Sequence, residues 1–299
     1  MKHPPALLAP LSADLALSIC PDQPERCERS AYQEIRSGHS PSLGDYYRLD
    51  GDLMASTLDA FVIHETLAHI PALEHPSPRR ALILGGGDGG SARELLRHRS
   101  IEHILIAELD PAVVAHVRQH LPHLPDGAFD DPRVELRYGD AARTLAALTS
   151  EPPTAAAFDL ILFDLCAVDN PACAHLHTED FFRACAAQLA PQGCLHVQLG
   201  SPFFHGPQIA ATWRALNQVF PDCRPALISL PLYGGPWLLA SAGPARPQPD
   251  LNPLNQLGQR LAQGLDAPHA LRYYSPAVHQ AARALPPYVL QHLTPYAPL

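Results

Sequence analysis

Short, uncharged apolar runs alternate through the middle of the chain with stretches in helical spacing. Residues 81–84 are four apolar positions with no charge among them, the pattern of a strand buried on both faces of a parallel sheet. This run passes through the turn Gly85-Gly-Gly87-Asp88-Gly-Gly90 into a helical pattern from Ser91. The alternation then recurs. Strand-like 104–108 precedes a helix over 111–120, strand-like 134–138 precedes a helix from Asp140, and 160–164 precedes an irregular loop and a helix from about Thr178. Next come a strand at 194–198, a helix near 208–219 and a last strand pair at 226–230 and 237–242. Alternating β and α units predict an α/β fold with a doubly wound, mostly parallel sheet.

Upstream of residue 76 the pattern is different. Residues 1–29 are rich in proline and polar residues and predict a loosely structured N-terminal segment. From Tyr32 to Met54 short β-like segments alternate with turns, and Asp50-Gly51 is a hairpin signal. With a helix over 59–73, these predict a small β-rich N-terminal domain and connecting helix over 30–75. Residues 76–299 are expected to form the large α/β domain with a C-terminal helical extension.

A ligand is expected on the glycine-rich turn, because glycine permits close approach and the following helix offers free N–H groups. Gly85, Gly87 and Gly90 satisfy G-x-G-x-x-G, and Glu108 lies 21 residues beyond Gly87, where a ribose-binding acid is expected. Asp88 argues against a dinucleotide. A carboxylate inside the turn would repel a pyrophosphate, whereas it suits a nucleoside that carries a sulfonium or an ammonium. In such sheets ligands bind beyond the carboxyl ends of the strands. Asp88, Glu108, Asp140 and Asp164 all fall there, so four carboxylates line one edge. Asp140 would also serve as a helix cap.

Composition narrows the picture. The chain of 299 residues has 30 acids against 21 bases, a net charge of −9, and no dense Lys/Arg cluster, so nucleic acid is not an expected partner. Prolines interrupt the N-terminal apolar run and the stretch 225–243, so neither a signal peptide nor a membrane span is expected. Seven cysteines without a C-x-x-C pair suggest free thiols and a cytoplasmic location. Two histidine sets invite a metal reading. His64 and His69 stand five apart, roughly 140° around a helix rather than on one face. Cys173, His175 and His177 alternate in a loop with no fourth obvious ligand. No metal is expected at either.

Several stretches in order resemble the polyamine aminopropyltransferases, the spermidine synthase family. They are Tyr32-Gln-Glu-Ile, Leu49-Asp-Gly, Asp59-x-Phe-x-x-His-Glu-x-Leu-Ala-His, the glycine turn, Phe129-Asp-Asp-Pro-Arg-Val, Gln198-Leu-Gly-Ser-Pro-Phe-Phe-His and Tyr273-Tyr-Ser-Pro-Ala-Val-His-Gln. The resemblance implies a methyltransferase-like, Rossmann-like sheet and transfer of an aminopropyl group from decarboxylated S-adenosylmethionine to an amine, with release of methylthioadenosine. It implies a co-substrate and no prosthetic group, a small-molecule amine as partner, and a homodimer. It places Gln33 and Asp88 at the aminopropyl end of the donor, which also lies on the turn of Gly85 and Gly87. Glu108 falls at its ribose, Asp140 at its adenine amino group, and Asp164 at the attacking amine as catalytic acid–base. His64, Asp169, Tyr233 and Trp237 fall on the acceptor side.

The chain departs from that pattern in three places. Met54, Ile63 and Ala167 stand where the family usually has a glutamine, a tyrosine and an acid, so putrescine is expected to be a weak acceptor. The competing readings are an S-adenosylmethionine-dependent N-methyltransferase on the same sheet and a nucleoside-binding pseudoenzyme.

Overall fold

The structure is a computed structural model that describes residues 5–150, 157–165, 173–245 and 253–294. The chain begins with an antiparallel hairpin of β1 (Leu7–Pro10) and β2 (Ala16–Ile19). An antiparallel four-stranded sheet follows, made of β3 (Arg26–Arg29), β4 (Glu34–Ser40), β5 (Gly44–Leu49) and β6 (Asp52–Ser56). The described part of the segment expected to be loosely structured therefore carries strands. Its prolines mask a period-2 pattern in which Ala9 and Ile19 turn inward onto Tyr46, Leu53 and Leu232. The hairpin signal holds. Asp50 and Gly51, both at positive φ (48° and 102°), join β5 to β6.

Helix α1 (Ala60–Glu74) leads into the large sheet. In chain order its elements are β7 (Arg80–Gly85), α2 (Gly90–Leu96), β8 (His103–Glu108), α3 (Pro111–His120), β9 (Val134–Tyr138), α4 (Ala141–Ser150) and β10 (Phe158–Asp164). Then follow α5 (Glu179–Gln188), β11 (Leu189–Gly200), α6 (Gly206–Val219), β12 (Asp222–Leu230) and β13 (Gly235–Gly243). The C-terminal helices are α7 (Pro253–Gly264), α8 (Pro276–Ala282) and α9 (Pro287–Leu293). The spatial order is β12-β13-β11-β10-β7-β8-β9, and β13 runs antiparallel to both of its neighbours while the rest of the sheet is parallel. This is the doubly wound, mostly parallel sheet with a small β-rich N-terminal part.

The apolar run of β7 reads as continuous because both of its faces are covered. Leu82 and Leu84 pack with α4, α5 and α6 residues such as Leu145, Phe182 and Ile209. Ala81 and Ile83 pack on the other side with Leu67 of α1 and Leu95 of α2. Helix α3 bridges the two sheets, with Val113 and Val117 set against Ile35, Tyr47 and Ala55 of the small one. Among the described residues no helix is long and apolar enough to cross a membrane. Cys20, Cys27, Cys185, Cys194 and Cys223 are free, as the sequence suggests, but Cys173 is disulfide-bonded.

Candidate active site

The strand order reverses between β7 and β10, which opens the crevice where this class of sheet binds its ligands. Across that edge the acids follow the spatial order of the strands: Asp164 at the end of β10, Asp88 after β7, Glu108 at the end of β8 and Asp140 after β9. The four carboxylates thus stand where the sequence places them.

The turn after β7 owes its shape to its glycines. Gly85, Gly86 and Gly89 adopt positive φ (82°, 79° and 74°). A side chain on Gly85 would lie 2.2 Å from the Asp164 carbonyl oxygen, and one on Gly87 would lie 2.9 Å from Glu108 Oε2. The Gly86 N–H donates to that same Asp164 carbonyl (2.9 Å). Gly90 is required for another reason: a Cβ there would meet the His64 ring at 2.1 Å.

At the reversal point His64, Asp88 and Asp164 converge, each offering an atom within 4.8 Å of the others. Among the described residues this trio has the spacing to hold a cation. His64 Nε2 lies 3.2 Å from Asp88 Oδ2, and Asp88 Oδ1 accepts from the Gly90 N–H (2.8 Å). Burial works against the charge on Asp88, but His64 and the Gly90 N–H outweigh it and hold the carboxyl below its ordinary range. Burial likewise works against charge on His64, and Asp88 and Asp164 reverse that effect, so its pKa is raised. Asp164 behaves differently: burial, reinforced by the neighbouring Asp88, pushes it up to about 6. Its Oδ2 and His64 Nδ1 are buried without a hydrogen-bond partner among the described residues. Such atoms are costly unless a ligand satisfies them.

Glu108 is buried, and burial pushes its carboxyl up to about 7, although Oε1 accepts from the Asp110 N–H (2.9 Å). Asp140 is less enclosed. Its Oδ1 accepts from the Arg143 N–H (3.1 Å), the helix-cap role that composition alone allowed, and its Oδ2 lies 3.2 Å from His175 Nε2. Gln33 makes no hydrogen bond with Asp88 among the described residues. Its amide donates to Asp110 Oδ2 (3.0 Å), which also accepts from Ser30 Oγ (2.6 Å).

Tyr233 and Trp237 lie with ring centroids 4.5 Å apart and their planes tilted by 45°. Their polar ends are already used: Tyr233 donates to the Met54 carbonyl (2.6 Å) and Trp237 Nε1 donates to Gln198 Oε1 (3.0 Å). Gln198 turns its Nε2 toward Asp164 Oδ1 at 3.4 Å, so Trp237 fixes the amide that faces the acid. Gln198 stands in one of the stretches that resemble the family, which by itself implies no role for it. Its signal was the register of β11 on β10, which pairs Val197 with Phe163. Asp169 and Ala167 lie outside the described residues.

The histidine pair on α1 resolves into separate tasks. While His64 faces the turn, His69 points elsewhere, with Nδ1 2.9 Å from His98 Nε2 and Nε2 3.2 Å from Glu94 Oε2. Between them Glu65 accepts backbone N–H bonds from Arg272, Tyr273 and Tyr274 (2.8, 2.9 and 2.7 Å).

Residues 60–250 match the family described as the spermine/spermidine synthase domain. The chain is 37% identical to the polyamine aminopropyltransferase of Nitrosomonas europaea over 282 residues, covering 94% of this chain and 83% of that protein. It is 36% identical to the polyamine aminopropyltransferase of Moorella thermoacetica over 281 residues, covering 94% and 93%. Among solved structures it superposes with a TM-score of 0.83 on a spermidine synthase in complex with the transition-state analogue AdoDATO, at 29% identity and covering 98% of this chain and 96% of that one. Its likeness to the spermidine synthase of Thermotoga maritima has the same TM-score at 28% identity, covering 98% and 95%. With the glycine turn, the ordered acids and the His64–Asp88–Asp164 cluster on one crevice, the chain belongs to the spermine/spermidine synthase family.

Proposed function

We propose that this chain is an aminopropyltransferase that moves the aminopropyl group of decarboxylated S-adenosylmethionine to an amine and releases methylthioadenosine. The observation that carries this reading is a carboxylate held ionised in the glycine turn, Asp88, within reach of a second carboxyl that retains basic character, Asp164. Two cationic groups must meet in this reaction, and the paired acids lower the repulsion between them.

In this reading Glu108 accepts two hydrogen bonds from the ribose diol and Asp140 accepts from the adenine amino group, sharing its Oδ2 with His175. Asp88 binds the donor's ammonium. Gln33, whose amide N is committed to Asp110, has its Oε1 left to accept from the same ammonium. The amine nitrogen attacks the carbon beside the sulfonium, the C–S bond breaks with its electron pair going to sulfur, and the nitrogen loses a proton to Asp164. An amine with the pKa of lysine is almost wholly protonated at neutral pH, so baring its lone pair costs roughly 4–5 kcal/mol. A carboxyl pushed up to about 6 takes that proton more readily than an ordinary aspartate would. Tyr233 and Trp237 offer the acceptor ring faces, since their polar ends are bonded inside the protein.

The test follows methylthioadenosine release from decarboxylated S-adenosylmethionine with putrescine, cadaverine, 1,3-diaminopropane, spermidine and an alkyl monoamine. Amine-dependent release is expected, with putrescine a weak substrate; no release with any amine would overturn the reading. Donor choice gives a second measurement. Asp88 meets only an ammonium in the decarboxylated donor but also a carboxylate in S-adenosylmethionine. A charge-assisted hydrogen bond is worth roughly 1.5–3 kcal/mol. Calorimetry is therefore expected to give about 10- to 150-fold tighter binding of the decarboxylated form, and Asp88→Asn should erase most of that difference. Equal affinities in the wild type would favour a methyltransferase.

Donor affinity should also depend on pH through Glu108. Its carboxyl must be ionised to accept from both ribose hydroxyls, and it titrates at about 7 in the protein. Below that value binding must first remove a proton, so the dissociation constant should rise as pH falls from 8 to 5.5, approaching about tenfold per unit. Glu108→Gln should bind more weakly and flatten this dependence; a wild-type affinity unchanged across the range would remove Glu108 from the ribose.

A further inference from the structure

The small N-terminal sheet brings one more polar group to the crevice. Tyr46 and Tyr47 are adjacent on β5 and point to opposite faces, yet both are buried, because β1 and β2 cover one face and α3 covers the other. Tyr46 is fully accounted for: its hydroxyl donates to Glu25 Oε1 (3.1 Å), which Arg48 also holds. Tyr47 is not. It is 5% exposed, packed beside Met54, Ala112 and Val113, and its hydroxyl makes no hydrogen bond with a described residue. Tyr47 shares its apolar cluster with Val113, whose Cγ1, like Glu108 Oε2, would lie 2.9 Å from a Cβ on Gly87, so the ring stands beside the glycine turn and its acids. Burial and those acids push its pKa up, and the phenol stays neutral, able to both donate and accept.

The ring is buried but the hydroxyl itself is not sealed from solvent, so it is available to a ligand. The wall on which Tyr47 stands is the acceptor side: β6 pairs with β5 through Tyr47 and Ala55, and the Met54 carbonyl of β6 receives Tyr233. We infer that the Tyr47 hydroxyl is a direct ligand of the acceptor amine, accepting a hydrogen bond from its ammonium and helping to set which amines fit. This rests on the aminopropyltransferase reading for the identity of the ligand, while its geometry is that of β5 alone.

The test is calorimetric binding of putrescine and of cadaverine to the complex of the enzyme with methylthioadenosine, which needs no turnover. In Tyr47→Phe, which removes only the oxygen, the better-bound diamine is expected to weaken about 10- to 100-fold, the range of an ionic hydrogen bond. Methylthioadenosine affinity should stay within threefold and thermal stability should not fall. Tyr47→Leu should weaken the diamine at least as much. Unchanged diamine affinity in Tyr47→Phe overturns the inference, as does a loss of methylthioadenosine binding or of stability without loss of amine binding. A wild type that binds neither diamine also overturns it. If amines bind and Tyr47 matters but no methylthioadenosine is released from the full donor, the failure lies with the proposed reaction and not with Tyr47.

Discussion

Replacing Asp164 by asparagine is expected to lower turnover by about 10²–10⁴, the range for loss of a general base, while decarboxylated S-adenosylmethionine binds within a few-fold of wild type. Asparagine keeps the shape, and its amide can still meet Gln198, whose Nε2 stands 3.4 Å from Oδ1. What it removes is the capacity to take a proton. Burial and Asp88 raise Asp164 to about 6, so in the wild type the rate should also fall below that pH, where the carboxyl is already protonated. Above it the acid is ionised, and the rate should go on rising as more of the amine loses its proton. Methylthioadenosine release under donor saturation, read beside calorimetry, separates the two effects. An Asp164→Asn enzyme that turns over normally would leave the proton with solvent, and one that loses the donor would place Asp164 on the nucleoside instead.

The second large effect is structural and concerns the residue next to His64. Glu65 is buried in α1 and takes the backbone N–H groups of Arg272, Tyr273 and Tyr274, tying the segment ahead of α8 to the core. Glu65→Ala leaves these donors, that of Tyr274 buried and the other two part-buried, without their charged acceptor, and each hydrogen bond to a charged group is worth roughly 1.5–3 kcal/mol. A fall in Tm of roughly 5–15 °C should follow. Glu65→Gln retains a carbonyl oxygen and should lose less than half as much. Hydrogen exchange at residues 272–274 should rise several-fold in the alanine variant; equal protection would show that the C-terminal helices hold that segment by themselves.

The large sheet was legible because its apolar runs are bounded by glycine and by acids. The strand at 134–138 and the helix at 111–120 match β9 and α3 residue for residue. The acids at the strand ends were legible for the same reason, since they follow from where strands stop. What the sequence did not show was which side chains face one another across elements. Gln33 meets Asp110, which lies 77 residues away. Gln198 reaches Asp164 only through the pairing of β11 with β10, and its orientation is set by Trp237, two strands from Asp164. Tyr47 was unreadable because a two-sided burial of β5 removes the polar–apolar alternation that would have told its faces apart. The Asp140 ambiguity between cap and ligand was a real one: the structure shows the cap, and also a histidine on the other oxygen.

Gly85 pairs in register with Asp164, and the Gly86 N–H closes on the Asp164 carbonyl at 2.9 Å. In the proposed reaction the seat of the nucleoside and the proton acceptor are therefore joined through main chain, with no room for a side chain at Gly85. The wall proposed to meet the amine comes from another sheet, reached through α3 and α1, so a change of side-chain size there leaves the pairing of β7 with β10 in place. A designer seeking a new amine would rewrite β5 and β6 and leave β7 and β10 untouched.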